Sequence, residues 1–186
     1  MLAVAELEQL PVQQARTGEP AAWDVLFKRY QLPLYVYVFE LVHNEQTSLD
    51  VVQEVFIKAA RYIQTLRDDA KFGSWLFGIA HQQCAKHWRQ HIRTETLLRE
   101  AAKASVDDSE SPEELLVREE QQAEFMTRLN DLPAVQRSVL LLHYIEDFSL
   151  EEIASITESQ IGTVKSRLHY AKKSLRNLLN ERNENS

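Results

Sequence analysis

The chain has few of the residues that cross-link or interrupt secondary structure: one cysteine, four glycines and five prolines among 186 residues. A single cysteine excludes a disulfide within the chain and is typical of proteins in a reducing compartment. The scarcity of glycine and proline, with few β-branched runs, predicts an all-α fold. The length predicts one or two domains, and a hydrophobic fraction of 44% is enough to fill their cores.

The sequence also lacks a long hydrophobic run. No stretch approaches the roughly 20 consecutive apolar residues that a transmembrane helix needs. The first twenty residues have no basic region, and Glu6 and Glu8 interrupt their apolar residues, so we expect no signal peptide. These absences predict a cytoplasmic protein with no membrane-inserted segment.

Catalytic motifs are absent as well. The sequence has no glycine-rich phosphate loop, and its paired acids are adjacent in sequence and typical of a solvated surface. We therefore expect no catalytic residue, no enzymatic activity and no cofactor. His81, Cys84 and His87 are spaced by three residues on one predicted helix, which could make them metal ligands. Because one straight helix rarely offers three ligands in good geometry, a packed cysteine among surface histidines is the simpler interpretation.

The net charge of −7 is concentrated in one segment. Residues 94–124 contain ten acidic and three basic side chains, whereas residues 1–93 contain ten of each and residues 125–186 contain eight of each. Residues 94–112 lack sustained apolar periodicity, which together with the acidic charge predicts a linker between two neutral domains. The expected boundaries are an N-terminal extension at 1–20, a first domain at 21–94, the linker at 95–124, a second domain at 125–180 and a tail at 181–186.

Apolar periodicity predicts a series of helices. Pro33 is expected to bend or split the second helix, and Thr47 or Ser48 is the predicted N-cap of the third. The predicted helices cover residues 3–17, 21–42, 48–66, 72–92, 113–130 and 134–147, and the two helices described next follow them.

The stretch from Ser149 to Arg176 predicts two helices joined by a tight turn. Ser149 and Glu152 form a capping box at the start of the first helix, and Ser159 is the expected cap of the second. The second helix has a basic face, with no acidic residue between positions 160 and 176. This charge segregation predicts a helix-turn-helix whose second helix enters the major groove of DNA. The apolar stripe of that helix consists of Ile161, Val164, Leu168, Ala171 and Leu175.

Two helices of the first domain carry further candidate surfaces. The helix predicted from Phe72 begins with aromatic residues and continues with basic ones, a combination that suits single-stranded nucleic acid. The alternative is that Phe72, Trp75 and Phe77 are simply core. On the preceding helix, Asp50 and its neighbours form an outward polar patch that suits a basic protein partner.

Three motifs in this order resemble bacterial sigma factors of the extracytoplasmic-function class (group IV) in the sigma-70 family. SLDVVQEVFIKAARY at 48–62 resembles region 2.2, and KFGSWLFGIAHQQCAKHWRQ at 71–90 resembles regions 2.3 and 2.4. The segment 131–176 resembles region 4, and GTVKSRLHYA within it is the most specific match. The resemblance covers about residues 20–93 and 125–180.

The resemblance implies a chain of two small helical domains that binds core RNA polymerase through its β and β′ subunits, recognises promoter DNA and is controlled by an anti-sigma factor. Free in solution, the two domains would be held together or sequestered by that factor. The implied residues are Asp50, Gln53, Glu54 and Lys58 for core polymerase; Lys71, Phe72, Trp75, Gln82, Lys86 and Arg89 for the −10 element; and Arg137, Gln160, Thr163, Lys165, Ser166, Arg167, His169 and Tyr170 for the −35 element. In addition, the loop 67–73 and the helix after it would capture an unpaired −10 base.

Two other interpretations stay open on the sequence. A stand-alone helix-turn-helix regulator with an N-terminal sensor domain would dimerise and bind a palindrome without polymerase. An adaptor that only binds protein would keep its function when Lys165 and Arg167 are replaced by alanine.

Overall fold

The computed structural model describes residues 10–101, 129 and 131–184, with side chains except at 90–101 and 177–184. Every regular element in this part of the chain is helical, which confirms the all-α prediction. Single turns of 3₁₀-helix at Ile63–Thr65 and Asp69–Lys71 connect the third and fourth α-helices. The α-helices are α1 (Val12–Arg16), α2 (Pro20–Val42), α3 (Glu45–Tyr62), α4 (Phe72–Ala101), α5 (Ala134–Tyr144), α6 (Leu150–Ile156) and α7 (Ile161–Glu184).

Several predicted helix ends are wrong: α3 ends at Tyr62 instead of Leu66, and α5 ends at Tyr144 instead of Asp147. The side chain of Asn44, not Thr47 or Ser48, caps α3, because its Oδ1 accepts a hydrogen bond from the Thr47 amide at 2.8 Å. The helix α4 continues to Ala101, so the segment predicted as a linker from residue 95 is helical at its start. Its residues there are mostly good helix formers such as Leu, Glu, Arg and Ala, and none of them is a breaker. The helix predicted over 113–130 and residues 3–9 of the first predicted helix lie outside the described residues, apart from Leu129.

The helices α2, α3 and α4 pack together around one core. Pro33 lies inside α2 without splitting it, since Leu34, Tyr37 and Val38 directly after it are buried and hold the second half of the helix in place. The ring of Tyr37 meets Phe77 of α4 at 5.4 Å between centroids.

The helices α5, α6 and α7 form the helix-turn-helix unit. The predicted capping box at Ser149 and Glu152 is confirmed, and the turn after α6 places Glu158 in the left-handed region at φ 49°. The hydroxyl of Ser159 donates to the Thr157 carbonyl at 3.1 Å and accepts from Arg167, so its described contacts are not those of the predicted cap. The buried stripe of α7 begins at Val164, because Ile161 is 39% exposed.

The two units pack against each other. The helix α6 lies across α4, and α5 lies beside α2. The rings of Phe77 and Phe148 meet edge to face at 5.2 Å. A Cβ placed on Gly78 would lie 4.0 Å from the Ile156 Cα, so the backbones of α4 and α6 approach closely there. This packing decides which of the predicted surfaces are open.

Candidate functional site

The polar patch predicted for a protein partner is open on α3. Asp50, Gln53 and Glu54 are exposed, and the Nζ of Lys58 lies 3.7 Å from an oxygen of Glu54. The side-chain amide of Gln46 donates to Asp50 at 3.0 Å. These contacts are local to α3, so the patch presents net negative charge on one sturdy helix.

An apolar groove of about 990 Å³ lies beside this patch, between α2 and α3. Its walls include Phe27 and Ile57, which are 43% and 48% exposed, and Gln53 of the polar patch lies at its edge. Phe27 and Phe56 contact each other with ring centroids 4.8 Å apart. The residue pattern did not predict this groove. The signal that could have found it is the apolar stripe of α2, which includes Trp23, Phe27 and Tyr35 and is broader than one helix can bury against a core.

The face of α4 predicted to bind the −10 strand is covered only in part, since Phe72 is buried and Trp75 half-buried whereas Gln82 and the three cations stay exposed. Phe72 is fully buried, with its ring between those of Tyr30 and Trp75, so it is core in this arrangement and cannot stack on a base. Trp75 is half-buried, and the amide of Gln82 donates to a carboxylate oxygen of Glu158 in the helix-turn-helix unit at 2.6 Å. Lys71, Lys86 and Arg89 are exposed.

A cleft of about 420 Å³ remains between the two units. Lys58 and Tyr62 of α3 line it together with Trp75 and Gln82 of α4, and Ser155 of α6 closes one side. Tyr62 is 48% exposed, because α3 ends there and the chain tightens into the 3₁₀ turn. Residues predicted for −10 DNA therefore border a space that α6 restricts.

The recognition helix α7 is open along most of its predicted DNA face. Arg167 is half-buried and donates from Nη1 to the Ser159 hydroxyl at 2.9 Å, which ties the helix to the preceding turn. A Cβ at Gly162 would have nothing within 4 Å, so the start of the helix can approach a ligand closely. The exposed residues of the predicted set are Gln160, Thr163, Lys165, Ser166, His169 and Tyr170.

Arg137, predicted as a phosphate contact, is only 7% exposed here. Its guanidinium contacts the imidazole Nε2 of His43 and donates to the Leu132 carbonyl at 3.4 Å. Burial raises the pKa of nearby Glu40, and the positive charge of Arg137 opposes that rise. Arg137 therefore joins the two units in this arrangement, and its guanidinium is not accessible to a phosphate group.

The His81, Cys84 and His87 positions form no metal centre by geometry. The Tyr37 hydroxyl and His81 Nδ1 lie 2.8 Å apart, and burial lowers the pKa of His81 to about 4, with the Arg167 charge acting in the same direction. Cys84 is fully buried, and burial raises the pKa of its thiol to about 12. Within the described residues, no three His, Cys, Asp or Glu side chains are grouped to hold a metal ion.

Over the described ranges, no helix combines the length and the apolar character needed to cross a membrane.

Comparison with known proteins agrees with these two units. The family model "Sigma-70 region 2" matches residues 26–94, and "Sigma-70, region 4" matches residues 122–175. The RNA polymerase sigma-H factor of Pseudomonas aeruginosa is 32% identical over 178 residues, covering 91% of this chain and 92% of that protein. The ECF RNA polymerase sigma-E factor of Escherichia coli K12 is 31% identical over 179 residues, covering 91% and 93%.

Solved structures show the same fold. The sigma factor RpoE, solved with the anti-sigma factor NepR from Bartonella quintana, aligns with a TM-score of 0.65 and 25% identity over 83% of this chain and 96% of that one. CnrH, solved with the cytosolic domain of CnrY, aligns with a TM-score of 0.67 and 22% identity over 95% and 99%.

The arrangement defines a transcription initiation factor with a region 2 unit and a region 4 unit. The chain belongs to the sigma-70 family and is an alternative sigma factor of the extracytoplasmic-function class.

Proposed function

We propose that this sigma factor attaches to core RNA polymerase through the α2–α3 groove and the polar patch beside it. The observation that carries the proposal is the coincidence of an open apolar groove with Asp50, Gln53 and Glu54 on its rim. Apolar anchors surrounded by charged residues are the usual anatomy of a protein interface. The negative rim suits a basic segment of the β′ subunit and speeds its encounter with the groove.

The helix α7 reads the −35 element in this proposal, and α4 with the loop before it holds the −10 strand. Six of the eight predicted −35 residues are exposed on α7 or just before it. None of the described side chains of α7 is acidic. Lys71, Lys86 and Arg89 supply positive charge along the −10 path. Gln82 and Trp75 complete that surface once α6 moves away from α4.

Two solved structures of this fold contain a partner protein, and one of these partners is named an anti-sigma factor. We extend this to the present chain and propose that an anti-sigma factor controls when it reaches the polymerase. A partner of this kind would compete with the polymerase for the α2–α3 groove, because the groove exposes the apolar side chains of Phe27, Leu32 and Ile57.

In vitro transcription tests the proposal. The purified chain is added to bacterial core polymerase that lacks any sigma factor, on genomic fragments that include the chain's own upstream region. We expect specific transcripts that disappear with Gln53→Ala plus Glu54→Ala, while Glu45→Ala, an exposed acid outside the predicted set on the same helix, leaves them intact. Binding to a DNA palindrome as a dimer, with no transcripts from the core enzyme, contradicts the proposal.

A further inference from the structure

The short helix α1 makes a set of polar contacts that neither DNA nor polymerase binding explains. Nη2 of Arg16 donates to the Leu66 carbonyl at 2.6 Å and to Oδ1 of Asp69 at 2.5 Å. The exposed fractions of the two charged side chains are 19% and 31%, so the ion pair is partly shielded from water. The contact joins residues more than fifty positions apart, on either side of α2 and α3.

Two more hydrogen bonds reinforce this contact. Nε2 of Gln13 donates to Oδ2 of Asp69 at 2.5 Å, so each carboxylate oxygen has its own donor on α1. In return, Nε2 of Gln64 donates to the Arg16 carbonyl at 2.9 Å. The carboxylate of Asp69 is thus held at two points, which fixes its orientation as well as its position.

The helix α1 is itself anchored to the core. Val12 and Ala15 are buried, and the indole Nε1 of Trp23 donates to the Ala15 carbonyl at 3.1 Å. A helix of five residues has no stability of its own in water. Its position is therefore set by α2 on one side and by the segment 64–69 on the other.

The segment that α1 holds leads directly into α4. Asp69 opens the 3₁₀ turn that ends at Lys71, and Asp68 caps that turn by accepting from the Ala70 amide at 3.1 Å. The Ser74 hydroxyl donates to the Lys71 carbonyl at 3.2 Å, which couples the turn to the first turn of α4. A displacement of Asp69 is consequently passed to Lys71 and to the start of α4.

We propose that Gln13 and Arg16 are positioning residues that, through Asp69, set the loop 67–73 for its choice of unpaired promoter base. This inference rests on the proposed function, in which that loop holds a base of the −10 strand. The residues of α1 act through Asp69 and do not touch the DNA. Because base capture requires a fixed pocket, a loosened loop discriminates less between bases even when the polymerase still binds.

The experiment uses the full chain with core polymerase on a promoter found by in vitro transcription and on variants of it that differ at one unpaired −10 base. Discrimination is the ratio of initiation rates between the preferred base and the others. We expect Arg16→Gln to lower that ratio about tenfold, while Arg16→Lys, which keeps a charge for Asp69, restores most of it. Affinity for the core polymerase should not change in either variant.

The neighbouring glutamines of α1 give a matched control. Gln13 and Gln14 are both exposed on the same five-residue helix, and Asp69 accepts a hydrogen bond from Gln13. Gln13→Ala should reduce discrimination and speed hydrogen exchange of the amides of Leu66, Ala70 and Lys71. Gln14→Ala should change neither.

Unchanged base discrimination in Arg16→Gln and Gln13→Ala, with a wild-type chain that initiates normally, overturns this inference and leaves the proposed function standing. Equal effects of Gln13→Ala and Gln14→Ala overturn it as well, since they would indicate a general loss of α1. A wild-type chain that initiates nowhere overturns the proposed function and this inference with it.

Discussion

The α3 face and the α4 face of the region 2 unit differ in how much of each is accessible. On α3, the polar patch and the groove beside it are open, with Phe27 43% exposed. On α4, the helix-turn-helix unit covers part of the surface, with Ile156 against Gly78 and Glu158 hydrogen-bonded to Gln82. The predicted polymerase surface is therefore accessible in this arrangement, whereas the predicted −10 surface is accessible only in part while α6 lies against α4.

The same contrast applies to two cations of the region 4 unit. Lys165 on α7 is exposed, whereas Arg137 on α5 is buried against α2. Both were predicted to contact DNA. The packing of the units leaves only Lys165 accessible to DNA.

The largest effect is expected from a substitution in the apolar groove between α2 and α3. Phe27→Glu should weaken binding to core polymerase about 100-fold, because it places a charge in the apolar groove where an anchor residue would be desolvated. The free energy of unfolding should fall by about 1–2 kcal/mol, since the ring is 43% exposed but loses its contact with Phe56. The measurement is a fluorescence anisotropy titration of labelled sigma factor with core enzyme.

Val25→Glu is the matched control for that variant. Val25 is 49% exposed on the same helix and does not line the groove. Equal losses of affinity in the two variants would show that the groove is not the attachment site.

The second largest effect is expected at Lys165, the exposed cation of the region 4 unit. Lys165→Ala should weaken promoter binding by the holoenzyme about tenfold and lower the salt dependence by about one counterion, as expected for loss of one phosphate contact. Filter binding over a range of salt concentrations measures both. Lys173→Ala, an exposed lysine outside the predicted set, should have a smaller effect. A salt dependence that stays unchanged in Lys165→Ala removes this residue from the DNA interface.

A smaller effect is expected from opening the covered surface. Phe148→Ala removes the edge-to-face contact with Phe77 and leaves a void between the units, so the open arrangement should gain population. Spin labels attached to cysteines introduced by Arg61→Cys and Lys173→Cys measure the distance between the two units by electron paramagnetic resonance. The native Cys84 does not interfere, because it is buried and burial raises its pKa to about 12.

Glu151→Ala, on the exposed side of α6, is the control for that measurement. It should leave the distance distribution as in the wild type. If Phe148→Ala also leaves it unchanged, the Phe77–Phe148 contact does not hold the units together.

The smallest expected effect is a pH dependence of the same interface. Burial raises the pKa of Glu146, in the loop between α5 and α6, from 4.5 to about 7, with Arg29 of α2 opposing the rise. The folded chain therefore holds this proton more tightly than the unfolded chain, and the free energy of unfolding falls as pH rises from about 4.5 to 7. His81, whose pKa is lowered from 6.5 to about 4, contributes the opposite slope between those values.

Glu146→Gln isolates the first contribution. Urea denaturation should show this variant close to wild type near pH 5 and more stable than wild type near pH 8, because only the wild type then buries a charge. His81→Gln should show no such gain at pH 8, since the imidazole is already neutral there. A constant difference between Glu146→Gln and wild type across this range contradicts the assignment.

Much of the local structure could be predicted from the residues alone. The capping box at Ser149 and Glu152 and the stripe from Val164 to Ala171 depend on neighbours three or four positions away, which the sequence displays directly. The cap of α3 was misplaced because Thr47, Ser48 and Asn44 are all good capping residues, and only the backbone geometry selects Asn44.

The candidate sites were predictable in part. Asp50, Gln53 and Glu54 could be placed on an exposed face, since periodicity separates the two sides of one helix. Phe72 was named for DNA, but its ring is buried against Tyr30, a contact between α2 and α4 that no spacing within one helix reveals.

The all-α class, the two helical units, the acidic segment and the family could be predicted from the residues, because they depend on composition, on short-range periodicity and on motifs along the chain. The burial of Arg137, the packing of α6 on α4 and the contact of α1 with Asp69 became visible in the folded chain. Each of these is a contact between residues far apart in sequence. Such a contact forms only when whole helices pack against each other. The pattern of residues within one helix does not show which other helix it will meet.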